Sequence, residues 1–185
     1  MNRLSYFAST AALSLVLLGL GGCASTRLDA SPAPRLDTQA IWSVAPPVNN
    51  TVTPYAAGRV QSQLAALLST HGVQHVLLVP AANPGGPLPI DNGAQNERAA
   101  LAWARHHQAR YALLGSVDEW EYKIGLDGQP AVGFTLRLVD LKTGSVIWSG
   151  AASASGGSRE GLAVLSQDVL NDLINRLLPA GGHGA

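Results

Sequence analysis

The sequence predicts an α+β fold in which helices pack on one mixed β-sheet. Two observations support this prediction. In the first half of the chain, short apolar runs alternate with segments of helical periodicity, which is typical of parallel strands joined by helical crossovers. In the second half, three strand-like segments follow one another with tight turns between them, which predicts an antiparallel meander. The predicted order is β-α-β-α-β-β-β-α.

The first half contains two predicted strands and two predicted helices. Residues 41–45 form a short apolar strand that ends at Pro46 and Pro47. Residues 54–70 carry apolar side chains at helical spacing, and residues 94–107 form the second helix. Between them, the strand at 73–79 is apolar on both faces. We therefore expect it at the centre of the sheet.

The second half contains the predicted meander and a last helix. The strands are expected at 110–124, 131–141 and 145–154, with turns at 126–130 and 142–144. Apolar and polar residues alternate along 131–141, which is the pattern of a half-buried strand. Ser158 is the predicted N-cap of a helix that ends near residue 178 and carries a broad leucine stripe.

The N-terminus has the pattern of a bacterial lipoprotein signal. Arg3 precedes a short apolar run, and small glycines lead to Cys23, the only cysteine of the chain. The apolar core of about ten residues is too short to span a bilayer. We expect cleavage between Gly22 and Cys23, with a diacylglycerol on the Cys23 thiol, and Ala24 after it favours sorting to the outer membrane. The alternative is an ordinary signal peptide with a stray cysteine.

The chain divides into four predicted parts. Residues 1–22 are the signal peptide. Residues 23–39 are the lipidated N-terminus and a flexible tether, because this segment has prolines and serines and no periodicity. Residues 40–179 form a single α+β domain, and residues 180–185 form a disordered tail.

Composition and motifs argue against several function classes. Twelve basic and twelve acidic residues leave no net charge, so no nucleic-acid partner is expected. The chain has no nucleophile elbow and no phosphate-cradling loop. His106 and His107 are adjacent and point apart on a helix, and His71 and His75 lie on either side of a helix end. We expect no catalytic residues, no metal and no cofactor, and therefore no enzyme.

Two features of the meander are candidate functional sites. Asp118, Glu119 and Glu121 place three carboxylates in four residues of one strand. By strand alternation, Asp118 lies on one face, and Glu119 and Glu121 lie on the other. This cluster is either a solvated strand end or a surface that attracts cations. Trp148 is either a core residue or a contact with the membrane interface, where amphipathic aromatic rings are favoured.

The meander also carries a resemblance to a known family. The segment 110–133 contains Asp-Gly-Gln-Pro-Ala-Val-Gly at 127–133, and Asp140 is followed by Thr143-Gly144 and by Trp148-Ser149. With the lipoprotein signal, these motifs resemble the PelC family, outer-membrane lipoproteins of the Pel exopolysaccharide export system. The second motif recurs in related periplasmic lipoproteins that share a TolB-N-terminal-like domain, including activators of cell-wall synthases.

The resemblance implies a function in polysaccharide transport for biofilm formation. PelC-like proteins form a homo-oligomeric ring, a dodecamer, on the periplasmic face of the outer membrane, around the entrance of the β-barrel PelB. An acidic inner surface guides a cationic polysaccharide, and a tryptophan contacts the membrane. In this sequence the matching residues are Trp148 for the membrane, Cys23 for the lipid, and Asp118, Glu119 and Glu121 for the acidic surface.

Two other functions compete with polysaccharide export. The first is a periplasm-facing lipoprotein that activates a peptidoglycan synthase by docking on it, which requires one docking surface and no ring. The second is a hydrolase of the cell envelope, which requires two carboxylates facing each other across a cleft. Binding to a synthase rather than to a barrel separates the first from export.

Overall fold

The computed structural model describes residues 25–81, 93–123, 128–157 and 159–179. These residues form the predicted α+β fold, with three helices packed on one mixed sheet. The strands are β1 Ser25–Ala30, β2 Ile41–Val44, β3 Val48–Asn49, β4 His75–Leu78, β5 Tyr111–Tyr122, β6 Pro130–Asp140 and β7 Ser145–Ser155. The helices are α1 Ala56–Thr70, α2 Gly93–His106 and α3 Leu162–Leu177. The signal peptide at 1–22, Cys23 and the tail at 180–185 lie outside the described residues.

The sheet combines the two predicted topologies. Its strand order is β1-β7-β6-β5-β2-β4, with β3 pairing alongside β5. Strands β5, β6 and β7 form the antiparallel meander, while β2 runs parallel to both β4 and β5. The helices α1 and α2 are therefore crossovers between parallel strands, as the alternating first half predicted.

The prediction of a flexible tether at 23–39 is wrong from residue 25 onward. Residues 25–30 form β1, which pairs antiparallel with β7 from Ser25 opposite Ser155 to Ala30 opposite Gly150. The only large apolar residue of β1 is Leu28, which packs against the main core. Such a strand has almost no hydrophobic pattern of its own and is specified by the free edge of β7 that it covers. The folded domain therefore starts at residue 25 rather than at 40.

The expected central position of the second strand is also wrong. That strand, β4, is the edge of the sheet, and its Leu78 is 49% exposed. Its apolar character has another cause: Val76 packs against the main core on one face, and Val79 belongs to a smaller core on the other. Because this edge strand packs against a core on each of its two faces, its sequence is apolar on both faces, as that of a central strand would be.

The larger core lies between the sheet and the helices α1 and α3. Its largest fully buried side chains are Trp42, Trp148, Phe134, Leu64, Leu68, Leu113, Leu136, Leu138, Leu170, Leu173, Ile174 and Leu177. The smaller core lies on the opposite face, where alanines of α2 such as Ala100 and Ala104 pack against residues such as Leu114 and Val139 of the sheet. Helix α2 covers only part of that face.

Helix α3 begins at Leu162, four residues after the predicted N-cap. Ser158 lies outside the described residues, and the N-cap is Gly161, which makes no side-chain capping bond. The backbone N–H of Leu162 instead donates to the Tyr122 hydroxyl at 3.2 Å. The end of β5 thus supplies the acceptor that the first turn of α3 lacks.

Candidate functional site

The three carboxylates of the acidic cluster, Asp118, Glu119 and Glu121, lie near the C-terminal end of β5. A β-bulge interrupts the pairing of β5 with β6: Val117 lies opposite Phe134, and Glu119 lies opposite Gly133, so that Asp118 is the extra residue. An extra residue in one strand shifts the alternation of the side chains that follow it. The prediction that Asp118 faces away from Glu119 and Glu121 is therefore wrong.

Hydrogen bonds place the Asp118 carboxylate on the same side of the sheet as its two neighbours. Its Oδ2 accepts from Thr135 Oγ1 at 2.8 Å, and its Oδ1 accepts from Asn50 Nδ2 at 2.9 Å. Thr135 lies between Phe134 and Leu136, which both belong to the main core, so its own side chain points to the opposite, solvent-facing side. The bulge thus gathers all three carboxylates on one face.

The two glutamates differ in their surroundings. Glu119 is partly buried and forms an ion pair with Lys123 at 3.3 Å. Its neighbour across the strands is Gly133, where an added Cβ would lie 3.3 Å from the Glu119 Cβ. Glu121 is exposed, and within the described residues it makes no ion pair or side-chain hydrogen bond. It is the carboxylate of the cluster that is most available to an external cation.

The cluster borders a part of the sheet that no described helix covers. We call it the open face; on β5, β6 and β7 its other residues include the small side chains of Ser116, Thr135, Ser149, Ala151 and Ser153, and on β1 it includes Arg27 and Asp29, which lie opposite Ser153 and Ala151 and form an ion pair with each other. Arg137 marks its limit towards α2, because it pairs with Glu97 of that helix. The open face therefore combines short side chains with the acidic cluster on β5 and the Arg27–Asp29 ion pair on β1.

The three carboxylates could be identified from the sequence, but not Asn50 and Thr135, the two residues that donate hydrogen bonds to Asp118. Asn50 belongs to the loop after β3, and its backbone N–H donates to Val117 O at 2.9 Å, which ties the loop to the bulge. Thr135 lies on the neighbouring strand. Neither residue has a local sequence signal, because both act through pairing between distant segments of the chain.

The prediction that Trp148 contacts the membrane is wrong in this fold. Trp148 is 1% exposed and lies in the main core, against Gly150 and Leu173 of α3. A Cβ on Gly150 would lie 2.8 Å from Trp148 Cη2, so the glycine makes room for the indole. The indole N–H has no hydrogen-bond partner among the described residues. Of the alternatives that the sequence left open, the structure selects the core.

The motif that leads to Trp148 has a structural role. Asp140 receives two hydrogen bonds from Arg110, Nε to Oδ1 at 3.0 Å and Nη2 to Oδ2 at 2.7 Å. Its Oδ1 also accepts from the backbone N–H of Lys142, and Gly144 supplies the positive φ of 75° that the turn needs. The Arg110 guanidinium, aided by the Lys142 N–H, holds the pKa of Asp140 below its ordinary value, although partial desolvation opposes this shift.

The rings of His106 and His107 lie edge to face with their centroids 5.2 Å apart, so the prediction that these adjacent side chains point apart is wrong. The His71 ring bridges α1 and α3, with Nδ1 2.9 Å from Leu67 O and Nε2 2.9 Å from Asn175 Oδ1. His107 stacks on Trp103 at a centroid distance of 3.8 Å. Within the described ranges, no three His, Cys, Asp or Glu side chains are placed to hold a metal ion, and no helix is long and apolar enough to cross a membrane.

The fold and this surface define a class: a small α+β domain with an acidic, helix-free sheet face. The structure of this chain is similar to that of the PelC dodecamer from Paraburkholderia phytofirmans, with a TM-score of 0.71 and 32% sequence identity; the match covers 83% of this chain and 98% of that one. A second structure of that PelC, with one substitution, gives 0.72 and 31% over 83% and 99%. The chain belongs to the PelC family.

Two further comparisons are more distant. Lipoprotein GNA1162 from Neisseria meningitidis shares the fold, with a TM-score of 0.50 and 24% identity over 74% of this chain and 99% of that one. Residues 90–153 match the family model of the peptidoglycan-synthase activator LpoB. None of the curated protein sequences matches this chain.

Proposed function

We propose that this protein is an outer-membrane lipoprotein, anchored through Cys23, whose copies form a ring on the periplasmic face and guide a cationic exopolysaccharide to a β-barrel exporter. The observation that carries the proposal is the grouping of Asp118, Glu119 and Glu121 on the open face of a PelC-family fold. The protein acts by binding and positioning a polymer, without catalysis.

Ring formation gives the acidic cluster its electrostatic effect. One copy of the chain has no net charge, so a single copy would not attract a cation over a long distance. In a ring, each carboxylate is repeated once per copy around one opening, and a confined opening concentrates the field of like charges. Many weak contacts also allow a polymer to bind and still slide.

The Paraburkholderia PelC supports self-association, since it is a dodecamer and nearly its whole chain is covered by this one. We expect the intact lipoprotein, extracted in mild detergent, to give a discrete assembly of about twelve copies by native mass spectrometry. The mass of the N-terminal peptide would report the acyl chains on Cys23. A strictly monomeric species at high concentration would contradict the ring, and an unmodified Cys23 would contradict the anchor.

The second candidate function is activation of a peptidoglycan synthase. It is favoured by the match of residues 90–153, which run from α2 into the last strand, to the LpoB family model. Crosslinking of the lipoprotein in its native membrane separates the candidates. Capture of an outer-membrane β-barrel favours export, and capture of a synthase in place of the barrel favours activation.

A further inference from the structure

Three strands of the sheet begin at the same end of it. β2, β4 and β5 run parallel, and β6 ends where they begin, next to the start of β7. The helices α1 and α2 are crossovers between these strands, so they also end there. Helix α3 ends there too, because Asn175 Oδ1 near its C-terminus lies 2.9 Å from Nε2 of His71, the residue after α1. We call this end of the domain the distal end.

The distal end carries exposed cations that form no ion pair among the described residues: Arg35, Arg105, Lys142 and Arg176. Arg105 and Arg176 lie in the last turns of α2 and α3, where the helix dipole favours positive charge. Lys142 lies in the turn after β6. Arg35 lies in the segment before β2, where the Asp37 N–H donates to the hydroxyl of Tyr111, the first residue of β5, at 3.4 Å. Helix dipoles therefore account for only two of these cations.

Acidic side chains do not balance the cations of the distal end. Asp140 is already bonded to Arg110, and within the described ranges the acids near this end that lack an ion pair are Asp37 and Asp172. Four unpaired cations thus face two unpaired acids. The histidines of the described part of the chain also lie at this end, and three of them are exposed: His75, His106 and His107. Their imidazole N–H groups add hydrogen-bond donors to the positive charge.

The proposed lipid anchor lies at the other end of the sheet. Ser25, two residues after Cys23, pairs with Ser155, the last residue of β7, whereas Lys142 lies just before β7 begins. The 11 residues of β7 span about 35 Å, at about 3.3 Å per residue. A lipid on Cys23 would therefore hold one end of the domain at the outer membrane and leave the distal end facing the peptidoglycan layer.

We propose that the distal end binds the carboxylates of peptidoglycan; the orientation that brings it to the cell wall rests on the lipidation of Cys23 in the proposed function. The peptide stems of peptidoglycan carry free carboxylates that repeat along the polymer. Arginine guanidinium groups pair with carboxylates through two parallel hydrogen bonds, and a lysine ammonium adds a point charge. The distal end repels a cationic exopolysaccharide, so the acidic cluster and the distal end have partners of opposite charge.

The distribution of the cations suits a repeating partner. They come from four separate segments of the chain and do not line a single groove. One exposed ion pair contributes little to binding, but a polymer meets several cations at once, and an assembly of copies repeats them all. A repeating polyanion therefore fits this surface better than one short acidic peptide does.

Co-sedimentation with purified peptidoglycan sacculi tests the proposal. The protein is the chain with Cys23→Ser, so that no lipid contributes to binding. We expect it to sediment with sacculi at about 50 mM salt and to bind about tenfold more weakly at about 500 mM, because salt screens exposed charges. Sacculi whose carboxylates are amidated should bind it about tenfold more weakly as well. Equal binding to native and amidated sacculi, or no binding to either, would overturn the proposal.

Matched double variants locate the surface. Arg105→Glu/Lys142→Glu reverses two cations of the distal end, whereas Arg59→Glu/Arg98→Glu reverses two exposed cations elsewhere on α1 and α2 that also form no described ion pair. Both double variants change the net charge equally. We expect the first to weaken binding to sacculi about tenfold and the second about twofold at most. Equal losses would overturn the assignment to the distal end.

A neutral double variant guards against misfolding. Arg105→Gln/Lys142→Gln places no acid at the end of α2, where the helix dipole disfavours negative charge. We expect it to weaken binding to sacculi about threefold, with a circular dichroism spectrum equal to that of the parent chain. Unchanged binding by this folded variant would also overturn the assignment.

Two further outcomes identify a different origin. Crosslinks from Lys142 to an acidic protein segment, together with no retention by sacculi, would assign the surface to a protein partner and overturn the cell-wall contact. A peptide mass that lacks acyl chains on Cys23 would instead contradict the anchor and the orientation that follows from it. Binding to sacculi is measured without the lipid, so the two failures are distinguishable.

Discussion

The two faces of the meander are built from alternate residues of the same strands, yet they differ in almost every property. The covered face carries large apolar side chains such as Phe134 and Trp148, packed against α1 and α3. The open face carries Thr135, Ser153 and the carboxylates of the acidic cluster. The covered face therefore stabilises the fold, whereas the side chains of the open face do not have to fill a core and can carry function.

The covered face predicts the largest effects on stability. Replacing Trp148 with alanine removes a fully buried indole and leaves a cavity, which costs about 3–5 kcal/mol of the free energy of unfolding. Urea unfolding of the chain with Cys23→Ser measures this cost. Val146→Ala, at an exposed position two residues away, is the control and is expected to change stability by less than about 0.5 kcal/mol. If Trp148→Ala changed the free energy of unfolding as little as Val146→Ala does, the stabilising role of the covered face would be contradicted.

Close packing on the covered face predicts a second, smaller loss. A methyl group on Gly150 would lie 2.8 Å from Trp148 Cη2 and 3.0 Å from Leu173 Cδ2. Gly150→Ala is therefore expected to destabilise the fold by about 1–3 kcal/mol through overpacking. The same change at Gly157, where nothing lies within 4 Å, should be nearly neutral. Equal midpoints of urea unfolding for the two variants would show that the indole can move away.

The Arg110–Asp140 pair predicts a pH dependence. The pKa of Asp140 is lowered in the folded state, so the unfolded chain binds more protons than the folded one in the acid range. The contribution of the pair is complete above about pH 5 and is lost as the pH falls through the lowered pKa. Asp140→Asn should lower the unfolding midpoint at pH 7, and the difference in midpoint between this variant and the parent chain should shrink below about pH 4. A difference that is the same at every pH would contradict the role of this carboxylate.

The acidic cluster predicts the smallest effect on stability. Among the described residues, Glu121 makes no ion pair or side-chain hydrogen bond, and the Asp118 carboxylate accepts hydrogen bonds from two neutral side chains. Glu121→Gln and Asp118→Asn should therefore each change the free energy of unfolding by less than about 0.5 kcal/mol. Urea unfolding measures both. Losses above about 2 kcal/mol would mean that these carboxylates serve the fold.

The sequence predicted the faces well wherever packing follows local periodicity. The alternation along β6 and the leucine stripe of α3 both anticipate their burial. The prediction failed where the pairing or burial of a strand depends on a segment that is distant in the sequence. Strand β1 forms because β7 has a free edge, and β4 is apolar on both sides because two separate cores meet there.

The candidate site was only partly predictable for the same reason. The three carboxylates are visible in the sequence, but the bulge that turns Asp118 to the side of Glu119 exists only in the pairing of β5 with β6. The sequence did not decide whether Trp148 is a core residue or a membrane contact. Alternation shows that a strand has two different faces, but the position of α3 determines which of these faces is buried. The glycine that accommodates the Trp148 ring, Gly150, carries no signal by itself.

The most direct measurement is the affinity of the assembled lipoprotein for cationic glucosamine oligomers relative to their neutral, N-acetylated counterparts. We expect the parent protein to prefer the cationic oligomer, and the variant Asp118→Asn/Glu119→Gln/Glu121→Gln to lose that preference about tenfold or more while remaining folded and assembled. Asp168→Asn/Asp172→Asn, which removes exposed charges from α3, is the matched control and should retain the preference. An unchanged preference in the triple variant would contradict the acidic cluster as the polymer-guiding surface.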